Sequence, residues 1–367
     1  MRIAYVLTSL GVGGAERQVI ALAERMMARG HAVSLLVLLP RQPEEWPTIV
    51  HRVHVDMHKS PAGFIAGLVR GRRFLREFHP ELIHSHVYPA NITARLLRLF
   101  GPAALISTVH NVYEGPWVRM LTYRLTDSLS CHTTAVSQAA AERYVRLKAV
   151  SSRKCSVITN GIETAEFAPS AERRARMREE MGAGDEFIWL TDGRIAPAKD
   201  YPNLLRAFAI VAKSYMQSRL WVAGDGDVDD LSELIVFADE LGLRGRVRWL
   251  GLRRDMPAIL DAADGFVLAS AWEGMPLALG EAMAMEKPVV ATDAGGVREL
   301  VGDAGVIVAA RDSDGLARAM LDVMRLRPEA RGTMGRAARP RIQSQFSMDA
   351  KADEWEALYK AVAEKRL

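Results

Sequence analysis

Short apolar runs alternate with helical stretches along most of this chain. In the first half, the apolar runs 3–10, 32–39 and 105–109 are separated by segments with helical spacing, among them 15–29 and 64–78. Strands that alternate with helices in this way are typical of doubly wound α/β folds with a parallel sheet. The pattern therefore predicts an α/β protein.

The same alternation begins a second time past the middle of the chain. A charged helical segment, 170–181, and a glycine-containing turn, 182–185, precede a new strand at 187–190, and apolar runs follow at 220–223 and 265–269. A chain of 367 residues is also longer than one hydrophobic core comfortably holds. We expect two domains of similar construction, divided between residues 165 and 185.

Composition is that of an ordinary globular protein. Hydrophobic residues make up 49% and charged residues 25% of the chain, and no uncharged apolar run reaches the roughly 18 residues that a membrane-spanning helix needs. The apolar start continues into Gly11 without a small-x-small cleavage site, which favours a first β-strand over a signal peptide. Cys131 and Cys155 form no metal-ligand or disulfide pattern, so a reducing cytosol is the simplest setting.

Charge is distributed unevenly between the halves. Residues 1–165 hold 20 Lys and Arg against 11 Asp and Glu, whereas residues 166–367 hold 28 against 33. The basic excess, with the basic amphipathic segments 64–78 and 95–100, suits an anionic partner such as a phosphorylated acceptor or a membrane surface. Ordinary solvated surface helices have the same composition, and both interpretations stay open.

One segment, 270–300, carries the most specific chemistry. It places Glu273 in a loop after a predicted strand and Glu281 in the helix that follows, where both can line the ligand edge of a parallel sheet. A glutamate near a helix start is also stabilised by the helix dipole without any further role.

A second candidate site is the strand-to-helix turn that carries Arg194 and Lys199. A helix start presents free N–H groups and a positive dipole, and two cations add to its attraction for phosphate. Lys and Arg at a turn are also commonly just solvated. If Lys199 binds phosphate, Lys199→Ala should cut turnover by orders of magnitude and leave the melting temperature nearly intact.

Two features of the first half are weaker signals. The loop with Gly13 and Gly14 lacks the third glycine and the acid at the end of strand two that a dinucleotide site needs. His110 follows a strand end, and His84 and His86 have no acidic partner that would complete a metal site.

The segment SAWEGMPLALGEAMAMEKPVVATDAGG, at 270–296, resembles the signature of retaining glycosyltransferases of family 4, in which two glutamates flank seven residues. The resemblance implies the GT-B architecture, with two doubly wound, Rossmann-like domains that face each other across a cleft. It assigns residues 1–168 to an acceptor-side domain, residues 169–348 to a nucleotide-sugar-binding domain, and residues 349–367 to a helix that crosses back to the first domain.

The resemblance also implies roles for the candidate residues. Arg194 and Lys199 match the cations that hold the donor diphosphate, and Glu281 matches the glutamate that binds the nucleotide ribose. Glu273 matches the glutamate that binds hydroxyls of the donor sugar. Gly274 and Met275 match residues whose backbone N–H groups bind the sugar. Gly13 and Gly14 match a loop that binds the diphosphate from the opposite wall, and His110 matches a histidine near the reacting carbon. Catalysis is expected to involve His110, Glu273, Arg194 and Lys199.

The sequence departs from the family pattern at two positions. Asp200 and Glu286 stand where many members have glycine. Both positions border predicted turns.

Together with these features, the resemblance implies a metal-independent, retaining glycosyltransferase that needs no cofactor. Its expected partners are a nucleotide-sugar donor, UDP-linked rather than GDP-linked, and a glycan or lipid-linked hydroxyl acceptor, with no nucleic acid. We expect a cytoplasmic protein, with contact to the inner face of an anionic membrane as an open option. The alternatives are a nucleotide-sugar epimerase on the same fold and a non-catalytic nucleotide-sugar-binding protein.

Overall fold

The structure of the protein, a computed structural model, describes residues 1–11, 13–42 and 45–364. It divides into two compact units. Unit 1 contains the chain up to Gly161 together with the segment from Met348 onward, and unit 2 contains Ile162–Ser347. The sequence places the corresponding boundaries at 168/169 and 348/349.

In the described residues, unit 1 contains a seven-stranded parallel sheet. Its elements up to Gly161 are β1 (Arg2–Leu7), α1 (Gly14–Ala28), β2 (Ala32–Val37), β3 (Arg52–His54), α2 (Pro61–Phe78), β4 (Leu82–His86), α3 (Tyr88–Leu97), β5 (Ala104–Val109), α4 (Trp117–Thr126), β6 (His132–Ala135), α5 (Gln138–Arg146) and β7 (Cys155–Val157). The strand order is β3-β2-β1-β4-β5-β6-β7. The order reverses between β1 and β4, which is the topological switch point where ligands bind in folds of this type.

Unit 2 contains a six-stranded parallel sheet within the described range. Its elements are α6 (Ala171–Glu180), β8 (Phe187–Asp192), α7 (Tyr201–Ser214), β9 (Ser218–Ala223), α8 (Val228–Glu240), β10 (Val247–Gly251), α9 (Met256–Ala262), β11 (Gly265–Leu268), α10 (Leu277–Ala284), β12 (Val289–Thr292), α11 (Val297–Val301), β13 (Val306–Val308), α12 (Ser313–Arg325) and α13 (Pro328–Gln345). The order β10-β9-β8-β11-β12-β13 places the switch point between β8 and β11.

The last helix, α14 (Met348–Glu364), completes the core of unit 1. Its apolar side chains Trp355, Tyr359 and Val362 pack with α1 and with one face of β1. The opposite face of β1 packs under α2 and α3. Alternate side chains of one strand thus enter two different helical layers. The last three residues of the predicted final segment, 365–367, lie outside the described residues.

The predicted fold class is confirmed, since each unit is a parallel sheet with helices packed on it. The three-residue strand β3 and several helices of unit 2 have no counterpart in the sequence prediction.

The prediction of a basic surface segment at 95–100 is wrong for Arg95. Its side chain is completely buried in α3 and donates hydrogen bonds to the Tyr123 carbonyl and the Thr126 hydroxyl. Arg95 therefore supports the packing of α4 rather than a surface charge.

Candidate functional site

The candidate residues of unit 2 follow the two strands that flank its switch point. Arg194 and Lys199 follow β8, and Glu273 follows β11. Hydrogen bonds connect the two loops, since the Ala271 N–H donates to the Ala198 carbonyl. The fold therefore brings the two sequence motifs to one edge of the sheet.

Glycines allow the loops at this edge to approach closely. Gly224 has φ +121°, and a Cβ atom there would overlap the backbone of Gly193. Lys199 lies directly over Gly193, where an added Cβ would come 2.8 Å from the lysine Cε. The Tyr201 hydroxyl donates to the Gly193 carbonyl at 2.6 Å and fixes this turn against α7.

Lys199 and Glu273 form an ion pair that the sequence did not predict. Lys199 Nζ lies 2.7 Å from Glu273 Oε1, and the Ser270 hydroxyl donates to the same oxygen at 2.6 Å. The side chains of Lys199 and Glu273 are only 21% and 11% exposed. Ser270 stands three residues before Glu273 in the sequence, and its position just after β11 is the signal that could have identified it.

The other candidates of unit 2 differ in their surroundings. Arg194 is exposed and has no ion pair to another described residue, so its charge is available to a ligand. Glu281 lies in the second turn of α10 and is 3% exposed. Met275 is buried, and the Gly274 carbonyl accepts a hydrogen bond from the Gly296 N–H, which fixes the loop between β11 and α10.

The two departures from the family pattern share a backbone conformation. Asp200 has φ +46° and Glu286 has φ +57°, both in the left-handed region where glycine is favoured. Asp200 gains a local compensation, because its carboxylate accepts a hydrogen bond from the Asn203 N–H at the start of α7. Glu286 has no corresponding cap interaction among the described residues.

Three histidines cluster at the switch point of unit 1. His84 and His86 lie on the same face of β4, and His110 follows β5. His86 Nδ1 and His110 Nε2 are 2.9 Å apart, so the two imidazoles share one hydrogen bond. His84 uses both ring nitrogens, one with the Tyr359 hydroxyl at 2.6 Å and the other with the Thr108 hydroxyl at 2.7 Å.

Burial keeps these histidines neutral. It lowers the pKa of His110 to about 4 and holds the pKa values of His84 and His86 well below their usual range. An imidazole with a pKa near 4 is uncharged at neutral pH, so His110 can donate or accept one hydrogen bond at each nitrogen but does not supply a positive charge.

Gly13 and Gly14 lie at the start of α1, as the sequence indicates. Gly13 is the N-cap residue, and the Glu16 carboxylate folds so closely over it that a Cβ atom on Gly13 would overlap the carboxylate. A diphosphate could approach the N–H groups here only if the Glu16 side chain rotated away.

Neither a metal cluster nor a membrane-spanning helix occurs within 1–11, 13–42 and 45–364. No group of three His, Cys, Asp or Glu side chains could hold a metal ion there. Likewise, none of the described helices has the length and hydropathy to cross a membrane.

Two family models match separate parts of the chain. Residues 12–166 match the model described as Glycosyltransferase Family 4, and residues 186–325 match the model described as Glycosyl transferases group 1. The matched ranges correspond to most of unit 1 and to most of unit 2.

Characterised relatives and solved structures agree with these matches. The UDP-Gal:α-D-GlcNAc-diphosphoundecaprenol α-1,3-galactosyltransferase of Escherichia coli is 27% identical over 78% of this chain and 77% of its own length. The α-D-kanosaminyltransferase of Streptomyces kanamyceticus is 25% identical over 93% and 98%. The crystal structure of Anabaena HepE with UDP-glucose has a TM-score of 0.87 at 21% identity and covers 98% of this chain and 100% of its own. The fold and the family matches together show that the chain belongs to the family 4, group 1 glycosyltransferases.

Proposed function

We propose that the protein transfers a sugar from a UDP-linked donor to a hydroxyl group of a glycan or lipid-linked acceptor. The observation that carries this proposal is the cluster of Lys199, Glu273 and Ser270 at the switch point of unit 2, with the exposed cation Arg194 earlier in the same segment as Lys199. A sugar diphosphate presents hydroxyl groups to a carboxylate and negative charge to cations, and this cluster offers both.

The names of similar proteins support the choice of donor and acceptor class. The E. coli relative is named for UDP-Gal and for an acceptor linked to diphosphoundecaprenol. HepE crystallised with UDP-glucose. We therefore favour uridine over guanosine in the donor.

Two mechanistic features belong to the proposal. Transfer is metal-independent, because Arg194 and Lys199 can stabilise the charge that develops on the departing diphosphate. Transfer retains the anomeric configuration, as the resemblance to retaining enzymes implies. Glu273 binds the donor sugar, Glu281 the ribose, and Gly274 and Met275 offer backbone N–H groups. Donor-binding roles for His110, Gly13 and Gly14 rest on the resemblance alone.

A panel of UDP- and GDP-sugars tests the proposal with the purified full chain. Release of nucleoside diphosphate should require both a UDP-sugar and an acceptor, and should continue in excess chelator. The anomeric proton of the product, observed by NMR, should show the configuration of the donor. Activity that chelator abolishes and manganese restores would refute metal independence.

The same panel separates the rival functions. An epimerase would convert the nucleotide-sugar without acceptor and without release of nucleoside diphosphate. A binding protein would show calorimetric binding of the nucleotide-sugar and no turnover.

A membrane contact through unit 1 is a further part of the proposal. In the described residues, α2 packs against α3 and α3 against α4, and this layer exposes large apolar side chains. Trp117 and Leu125 on α4 are 73% and 72% exposed. The other exposed apolar residues of this layer are Ile65, Val69, Leu99, Phe100 and Leu121. Its exposed arginines include Arg72, Arg73, Arg76 and Arg124.

Apolar side chains flanked by arginines suit the interface of a bilayer with anionic headgroups. Flotation with phosphatidylglycerol vesicles should recover the full chain, and Trp117→Ser with Leu125→Ser should reduce the recovery. Val228→Ser in unit 2 removes an equally exposed apolar side chain and should not change it. Equal recovery with purely zwitterionic vesicles would exclude the role of the arginines.

A further inference from the structure

Among the described residues, the side chain of His86 hydrogen-bonds to His110 alone. Its Nδ1 atom shares a hydrogen bond with His110 Nε2, and its ring is held in place by neighbouring rings. The centroids of the His84 and His86 rings are 4.0 Å apart, and the Tyr5 ring stacks on the His86 ring with an interplanar angle of 28°. The orientation of His86 is therefore fixed by packing.

The second nitrogen of His86 is buried without a partner. His86 is 3% exposed, and its Nε2 atom makes no hydrogen bond within the described part of the chain. The nitrogen either carries a proton or does not, and the two options have different costs. Buried N–H groups without an acceptor are rare in protein interiors, rarer than buried acceptors without a donor, so we take Nε2 as unprotonated.

The proton on His86 determines the proton on its partner. If His86 Nε2 is unprotonated, the neutral ring carries its proton on Nδ1 and donates it to His110 Nε2. His110 Nε2 then accepts, and the neutral His110 ring carries its proton on Nδ1. That nitrogen makes no hydrogen bond to another described residue, so its N–H is available to a ligand.

We infer that His86 is the positioning residue for His110 and that it fixes His110 as a hydrogen-bond donor through Nδ1. This inference rests on the proposed function, because the acceptor of that N–H would be an oxygen of the bound sugar nucleotide. It also assigns His110 a role other than removal of a proton from the acceptor hydroxyl.

His84 does not take part in this arrangement. Both of its nitrogens are engaged by hydroxyl groups, and it connects α14 to β5 through Tyr359 and Thr108. It supports the ring of His86 by packing and has no hydrogen bond to it.

The tautomer can be observed directly in the full chain labelled with ¹⁵N-histidine. Long-range proton–nitrogen spectra distinguish a protonated from an unprotonated ring nitrogen, and the signals of His110 are assigned by their loss in His110→Gln. We expect His110 Nδ1 to be protonated and Nε2 unprotonated at neutral pH. The reverse pattern would overturn the inference without reference to any activity.

Two substitutions of His86 test the positioning role. His86→Leu removes the donor and should shift the His110 proton toward Nε2, with kcat/KM for the UDP-sugar reduced about tenfold, the effect of losing one hydrogen bond. His86→Asn places an amide N–H close to the position of Nδ1 and should restore both the tautomer and most of the activity. Restoration by asparagine would not occur if His86 served only to fill space.

Ser85→Ala is the matched control. Ser85 is equally buried on the same strand, but its side chain points to the opposite face and contacts Asn91 rather than His110. It should leave the His110 spectrum unchanged. An unchanged His110 tautomer in His86→Leu would refute the inference, whereas absence of turnover with every UDP-sugar in the wild-type chain would refute the proposed function alone.

Discussion

The Lys199–Glu273 ion pair makes a prediction that differs from the one based on sequence. A solvated Lys199 could be truncated with almost no loss of stability. In the structure its Nζ lies 2.7 Å from Glu273 Oε1, and both side chains are largely shielded from water. Lys199→Met should therefore destabilise unit 2 as well as weaken donor binding.

The magnitude follows from the geometry. At an effective dielectric constant of about 20, two charges at this separation attract by about 6 kcal/mol, and the cost of removing them from water offsets much of that. A hydrogen bond between charged groups contributes a net 1.5 to 3 kcal/mol, roughly. For a unit of this size, about 2 kcal/mol corresponds to a fall in Tm of roughly 4 to 8 °C.

A double-mutant cycle measures the pair itself. Lys199→Met, Glu273→Gln and the double variant are compared by calorimetry and urea unfolding of the full chain. Each single variant leaves one charge unpaired, whereas the double variant leaves none. The double variant should therefore be less destabilised than the sum of the single variants by about 2 kcal/mol. Arg194→Met is the control, since this exposed arginine should affect donor affinity and not Tm. A coupling energy below about 0.5 kcal/mol would refute the ion pair.

Three further predictions concern strained or buried positions. Glu286→Gly should raise the free energy of unfolding by about 0.5 to 1 kcal/mol, because glycine adopts the left-handed backbone conformation without strain. Asp200→Gly should give no gain, because it also removes the N-cap of α7. Equal gains for the two variants in urea unfolding would contradict this. Gly335→Ala should lower the free energy of unfolding by more than about 2 kcal/mol, since the new Cβ would overlap the Glu286 backbone. Gly332→Ala, on the same helix, places its Cβ near the flexible side chain of an arginine and should be neutral or stabilising. Thermal melts of the two variants test this difference. The free energy of unfolding should fall as the pH is lowered from 6.5 toward 4, because unfolded His110 takes up a proton before folded His110 does. This histidine accounts for up to about 3 kcal/mol, and His110→Asn should make the acid profile shallower in urea titrations at stepped pH.

Sequence patterns predicted the architecture well, because each unit repeats strands and helices that differ clearly in period. They also brought Arg194, Lys199 and Glu273 to the ends of the correct strands. They missed the ion pair, since contact between residues 74 positions apart depends on which strands become neighbours in the sheet. Arg95 was misjudged because local periodicity does not show which face of a helix a later segment, here α4, will cover.

The left-handed conformation of Asp200 and Glu286 was also beyond the sequence. The resemblance showed only that glycine is usual at these positions, and the reason became visible in the backbone. Pairing of His86 with His110 could have been anticipated in part, because residues at the ends of adjacent parallel strands lie side by side, but which nitrogens meet depends on the side-chain orientations.

The place of α14 has a consequence for the order in which the protein matures during synthesis. Unit 1 begins at the N-terminus, yet Trp355 and Tyr359, which complete its core and hold His84, are translated after all of unit 2. Unit 2 is continuous in sequence, so its folding can finish while unit 1 still lacks a helix. The part of the chain that leaves the ribosome first is therefore the part that becomes native last. A nascent chain stalled before residue 348 would carry a folded unit 2 and a unit 1 whose histidine cluster still lacks Tyr359.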